Sequence, residues 1–250
     1  MKALRNRTVL AFLLFNLLAG ALYVGGALLV SFMRSFGTTP AQLGWILAAG
    51  WGASVLGALA GGQLADNVSP RKTVLLSSAL VAAALLGKSL AHHWLQAGAW
   101  YLLGMGAQAA LSPAGMALLR DAVGDKLGSS WGFLNTALSA AAIPGAALTG
   151  WVVSRWDWPV LFLGKFATYL VALSVLFLLL PEVKRQLHEE GQKARWQEAL
   201  ACSALLWVCA SVFVVTLGGY CHAFYPYFVQ EQFTVDVRKL AVFDSIYNGV

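Results

Sequence analysis

The chain has 250 residues, 59% of them hydrophobic and only 11% charged, with a mean hydropathy of +0.68. A soluble domain holds about 45–50% apolar and about 25% charged residues, so this composition excludes a water-soluble fold and points to repeated passage through lipid. The net charge of +6 does not imply nucleic acid, because the bases sit in short clusters between apolar runs rather than in a patch or stripe.

A bilayer core takes about 20 apolar residues per helix. By that measure spans are predicted near 8–31, 41–65, 73–91, 95–118, 129–153, 159–180 and 199–219, with an eighth beginning near 239. The expected fold class is an all-α polytopic membrane protein. Lys2, Arg5 and Arg7 precede an apolar run that reaches "AGA" at Ala19–Ala21, which imitates a cleavable secretory signal. The run stays uncharged from Thr8 to Met33 and further spans follow, so it reads as an uncleaved first helix.

Lys and Arg set the orientation. With the N-terminus in the cytoplasm, the cytoplasmic side holds Lys2, Arg5, Arg7, Arg71, Lys72, Arg120, Lys126, Lys184, Arg185, Lys193 and Arg195. The opposite side holds Arg34, Arg155, Arg238 and Lys239. The stretch "PEVKRQLHEEGQKARWQE", 181–198, is the one strongly charged segment, and Pro181 breaks the helix before it. It divides the chain into a six-helix bundle at 1–180, a cytoplasmic linker at 181–198 and the start of a second bundle at 199–250. Of the 3 cysteines, Cys202 and Cys209 fall on the seventh span and Cys221 beyond it. No CxxC spacing occurs, so they read as buried apolar thiols, and neither a metal nor a cofactor is expected.

Small residues repeat every fourth position at Ala53, Gly57 and Gly61 on the second span, and at Ala137, Ala141 and Gly145 on the fifth. Such ladders let helix backbones approach closely in lipid, either as static packing or as a rocking interface.

Charge interrupts the apolar sequence at "GGQLADNVSPRKTVLL", 61–76, the turn between the second and third spans. An acid at a helix end can meet the positive end of the next helix or an Arg. Gly62, Leu64, Asp66 and Arg71, followed by Lys72, resemble the loop signature "GxLaDrxGrrxxl" of the major facilitator superfamily; Asn67 and Ser69 depart from it. The resemblance implies a conformational latch between two halves; the plainer reading is a positive-inside clamp with Asp66 capping the third span.

Further segments are similar to that family. "YLLGMGAQAALSPAGMALLRDAV", 101–123, looks like its fourth helix, without the Arg that many proton-coupled members carry near its start. The region around Pro144 and Gly145 partly resembles its antiporter motif, with Ile143 before the proline and Ala147 where a Gly is usual. "WDWPVLF", 156–162, resembles the aromatic start of its sixth helix. The family has two six-helix halves with substrate bound between them. The resemblance therefore implies secondary transport of a small solute by alternating access, with efflux mildly favoured by the Pro144 region, proton coupling left open, and residence in the bacterial inner membrane. It also implies that the chain is an incomplete transporter, which would need its missing half or a second copy to close the central site.

In the family, helices one, four and five line a central cavity. The same three spans pair polar residues at helical spacing here: Asn16 with Tyr23, Gln108 with Ser112, and Asn135 with Ser139. Intramembrane polar groups face the bundle interior because lipid offers no hydrogen bonds, so these either line a cavity or bond helix to helix. Lys165 and Lys88 lie within spans; each either snorkels to the interface or, for Lys165, holds an anionic substrate. His92 and His93 are expected to face water, and Trp94, Trp151, Trp156 and Trp158 to anchor the interface.

Other classes fit less well. A seven-helix photoreceptor needs a Schiff-base lysine in its seventh helix, and 199–219 has none. For an intramembrane enzyme, HExxH and a paired intramembrane Asp are lacking. A membrane fragment that acts only through a partner or dimer, and a lysolipid flippase, stay open.

Overall fold

The computed structural model describes residues 6–181 and 235–242, with the single positions 207, 228 and 232. Between residues 6 and 181 seven α-helices follow one another: α1 (Arg7–Gly20), α2 (Gly26–Arg34), α3 (Pro40–Asn67), α4 (Pro70–Ser89), α5 (Trp94–Val123), α6 (Leu127–Trp156) and α7 (Trp158–Leu179). A 3-10 turn at Gly124–Lys126 joins α5 to α6. No strand occurs among the described residues. The linker 182–198 and, apart from position 207, the seventh span 199–219 lie outside the described residues, as do all three cysteines.

Helices α3, α4 and α7, and the helical run from Trp94 to Trp156, are long and apolar enough to cross a membrane. Large side chains such as Trp45, Leu56 and Leu178 stay exposed on them. In water such a surface would aggregate; in a bilayer it is the lipid-facing surface. The chain is an integral, multi-pass membrane protein.

The predicted first span is not one helix. It breaks at residues 21–25 into α1 and α2, of 14 and 9 residues. At about 1.5 Å of rise per residue neither crosses a core of about 30 Å alone. Backbone outside a helix is tolerated at membrane depth only inside protein, and small residues provide that cover. A Cβ on Gly20 would lie 2.7 Å from the Cβ of Ala141 on α6, and one on Gly145 would strike the Gly20 carbonyl. Leu22 rests over Gly164 on α7, where an added Cβ would be 3.4 Å from its Cδ1. The expected ladder on the fifth span thus serves to dock the end of α1.

The ladder on the second span docks α3 on α5. Gly57 faces the backbone of Gly106, and Gly61 the backbone of Ala110. Gly87 of α4 likewise receives the face of Trp100. Helix starts are set locally. Thr39 and Gln42 form a capping box ahead of α3, with Pro40 in its first turn, and Pro70 opens α4. Asp157 alone joins α6 to α7: it has φ 79°, and its carboxylate accepts from the Trp158 N–H at 2.7 Å.

Trp158 is not an interface anchor. It is buried, 5.4 Å from Phe32 ring to ring, and with Phe162 closes the aromatic core between α2 and α7. Trp151 and Trp156 are exposed and meet edge to face at 5.0 Å. Helix resumes at residues 237–242, where Arg238 Nε donates to Ser154 Oγ at 2.6 Å and Ala241 packs on Gly150 near the end of α6.

Candidate functional site

The helices run up and down, so turns collect at two ends of the bundle. One end carries Asp66, Arg71 and the 3-10 turn; the other carries His92, His93 and Asp157. The loop expected to act as a latch lies at the first end. Gly62 is half-buried, and a Cβ there would meet nothing within 4 Å. Asp66 sits exposed in the last turn of α3, and Lys72 is exposed in the first turn of α4. Arg71 turns toward the end of α7: Nη2 donates to the Phe177 carbonyl at 3.0 Å, with the guanidinium 5.8 Å from that ring centre.

The candidate cavity residues divide into two groups. Asn16 donates its side-chain amide to the Leu134 carbonyl at 2.9 Å and so ties α1 to α6 beside Asn135. Gln108 accepts from the Tyr169 hydroxyl at 3.0 Å, which ties α5 to α7. Tyr169 is buried and meets Phe15 edge to face at 5.4 Å, so α1 carries contacts to both pairs through adjacent side chains. Tyr23 lies in the break between α1 and α2, with Lys165 Nζ 6.0 Å from its ring centre. Ser112, Asn135 and Ser139 are exposed on α5 and α6 and are not drawn into this set. Pro144 is exposed; its missing N–H leaves the Ala140 carbonyl without its helical donor, next to the Gly145–Gly20 contact.

Both intramembrane lysines point into the bundle. Lys88 Nζ lies 5.3 Å from the ring centre of Tyr101 and 5.7 Å from that of Phe162, both buried residues. It approaches Gly104, where an added Cβ would be 3.8 Å away. Snorkelling to the near interface is therefore not the geometry found for Lys88. The sequence alone does not single out Tyr101, Phe162 or Tyr169; the spacing of Lys165 and Tyr169, one helical turn apart, is the available signal. At the nearby loop His93 Nδ1 accepts from Leu95 N–H at 3.2 Å and caps α5.

No curated protein matches the chain. Solved structures do. One is of a bacterial homologue of the human drug peptide transporters PepT1 and PepT2, at 18% identity and a TM-score of 0.64, over 84% of this chain and 51% of that one. Another is of a D-xylose–proton symporter, at 13% identity and a TM-score of 0.63, over 99% of this chain and 66% of that one. The chain thus spans about half the length of the first and just under two thirds of the second, and at these identities the likeness is one of fold. The family model of the Major Facilitator Superfamily matches residues 9–248, nearly the whole sequence, and the chain belongs to that family.

Proposed function

We propose that the chain serves secondary transport of a small solute across the membrane by alternating access. The observation that carries this reading is the set of polar and charged side chains carried within the spans of a Major Facilitator Superfamily chain and joined across helices: Lys88, Lys165, Tyr169 and Tyr23, with Gln108 exposed on α5 but bonded to Tyr169. Such groups are costly in a lipid-embedded bundle, and their usual use is a solute path. Asn16, Gln108, Tyr23 and Lys165 form the inner lining, and Ser112, Asn135 and Ser139 face a second bundle across the path. Gly62, Asp66, Arg71 and Lys72 act at the cytoplasmic end as the latch, with the N-terminus in the cytoplasm and the bacterial inner membrane as the location. The region around Pro144 and Gly145, partly similar to the family's antiporter motif, supports efflux as the direction.

Coupling to protons is carried over from the D-xylose–proton symporter as a proposal. Reconstitution into liposomes holding a pH-sensitive dye tests both points. Flux of D-xylose, dialanine or benzoate above that of empty liposomes supports transport, and flux accompanied by a dye response supports coupling. A folded, reconstituted chain that moves none of these classes of solute in either direction counts against the reading.

A further inference from the structure

We infer that Lys88 and Lys165 form one binding site for a small organic anion with a flat apolar body, of which an aromatic carboxylate is the simplest example. The pairing of Lys88 with Lys165 and the aromatic body of the anion go beyond the expectation for Lys165 alone; use of the site in transport rests on the function proposed above, whereas binding does not.

The side chains converge for a geometric reason. In an α-helix each Cβ leans toward the N-terminus. Lys88 lies in the last turn of α4, so it leans away from the His92 end and into the bundle. Its ammonium reaches Gly104, about 15 Å along α5 from Trp94 at about 1.5 Å per residue. Lys165 lies on α7, which starts at the His92 end, so it leans back toward Lys88. Phe162 stands between them, one turn from Lys165 on α7 and 5.7 Å from Lys88 Nζ.

Nothing described offsets these charges with an anion. The described acids Asp66, Asp121, Asp125, Asp157 and Asp236 all lie at helix ends or turns. Each lysine instead faces aromatic rings: Tyr101 and Phe162 for Lys88, Tyr23 for Lys165. Ring faces attract a cation, but by only about 0.5–2 kcal/mol, which does not offset two like charges held together inside a bilayer. One anion between them would relieve both.

The surroundings specify more than charge. Gln108 is one turn beyond Gly104 on α5, and Tyr169 is one turn beyond Lys165 on α7. Because the Gln108 oxygen accepts from Tyr169, its amide nitrogen keeps its N–H donors for a further acceptor, one layer below the lysines. Two cations, an amide donor and the rings of Tyr23, Tyr101 and Phe162 together suit a carboxylate on an aromatic body.

The test is binding to the purified full chain in zwitterionic phosphatidylcholine nanodiscs, read by tryptophan fluorescence and thermal unfolding, with benzoate, benzamide and benzylammonium as probes. Benzoate is expected to bind saturably and raise the unfolding temperature, and the neutral and cationic analogues are not. Lys88→Gln and Lys165→Gln should each weaken benzoate by about ten- to a hundredfold, the range of a lost charge-assisted hydrogen bond. Lys165→Met guards against misfolding, since it removes a buried charge without leaving a polar group. Lys165→Arg should restore most of the binding. Equal binding of benzoate and benzamide, or unchanged binding in both glutamine variants, overturns the site. So does loss of benzoate binding in nanodiscs containing phosphatidylglycerol, because the lysines would then be held by lipid headgroups. Benzoate binding without flux in liposomes would leave the site standing and count against transport; flux of a solute without lysine-dependent anion binding would do the reverse.

Discussion

Arg71 Nη2 donates to the carbonyl oxygen of Phe177 at 3.0 Å, at the place where α7 lacks its own donor. Within a helix that carbonyl would accept from residue 181, which is proline and has no N–H. The last backbone bond of α7 is Leu180 N–H to the Leu176 carbonyl at 2.9 Å. Arg71 thus supplies the missing donor at the negative end of the α7 dipole and fastens the start of α4 to the end of α7. Arg71→Ala should lower stability by about 1 kcal/mol, the value of a partly exposed charged hydrogen bond. Arg71→Lys should lose less. In a Pro181→Ala background the loss should shrink, because the substituted residue carries a backbone N–H that can donate to the Phe177 carbonyl. Thermal unfolding of the parent, the two single alanine variants and the double variant gives the coupling; an equal loss in both backgrounds would refute it.

The contact of Gly145 with the Gly20 carbonyl predicts a sharp difference among glycines. A methyl at Gly145 meets backbone, which cannot swing aside, and overpacking of this kind costs about 1–3 kcal/mol. Gly57→Ala meets the Gly106 carbonyl and should cost a similar amount. Gly52 is exposed with nothing within 4 Å of an added Cβ, so Gly52→Ala should be neutral or slightly stabilising through helix propensity. If all three variants melted together in detergent, close backbone approach would not be what holds α1 to α6 and α3 to α5.

Hydropathy makes the spans legible because lipid fixes helix length. The second span, expected at 41–65, is Pro40–Asn67; the sixth, expected at 159–180, is Trp158–Leu179. What hydropathy does not show depends on neighbours distant in sequence. The break at 21–25 is hidden in an unbroken apolar run, hinted at only by Gly20, Gly25 and Gly26, and made possible by Ala141, Gly145 and Gly164 on other helices. Trp158 reads as an anchor because tryptophans favour interfaces; Phe32 takes it into the core instead. The polar types on the first, fourth and fifth spans are legible, but the partner of Gln108 is Tyr169, 61 residues away on the sixth span and outside those pairs. Lys88 reads as near the interface by position, and the lean of its side chain toward Gly104 reverses that.

Asp157 does two jobs at one residue, and they can be separated. Its φ of 79° lies where side chains are strained, and its carboxylate caps α7 through Trp158. Asp157→Ala keeps the strain and loses the cap, so it should cost about 0.5–2 kcal/mol. Asp157→Gly loses the cap but relieves the backbone, so it should unfold at a higher temperature than the alanine variant. Asp157→Asn should stay nearest to the parent chain. An alanine variant as stable as the glycine variant would show that this φ is not a constraint.

Asp66 and Gly62 separate latch from scaffold. Asp66 is exposed in the last turn of α3, and a Cβ on Gly62 meets nothing within 4 Å. Asp66→Asn and Gly62→Ala should therefore change stability by no more than about 0.5 kcal/mol, as surface substitutions do. A residue that biases two conformations acts on their populations, and a coupling of about 1.4 kcal/mol changes them about tenfold. Asp66→Asn should accordingly reduce liposome flux by about that factor at unchanged unfolding temperature. Lys126→Gln, exposed in the neighbouring turn at the same end, should leave flux unaltered. Equal flux in the Asp66 and Lys126 variants would reduce the loop to a topology signal. A drop in flux that follows a drop in unfolding temperature would make Asp66 part of the scaffold instead.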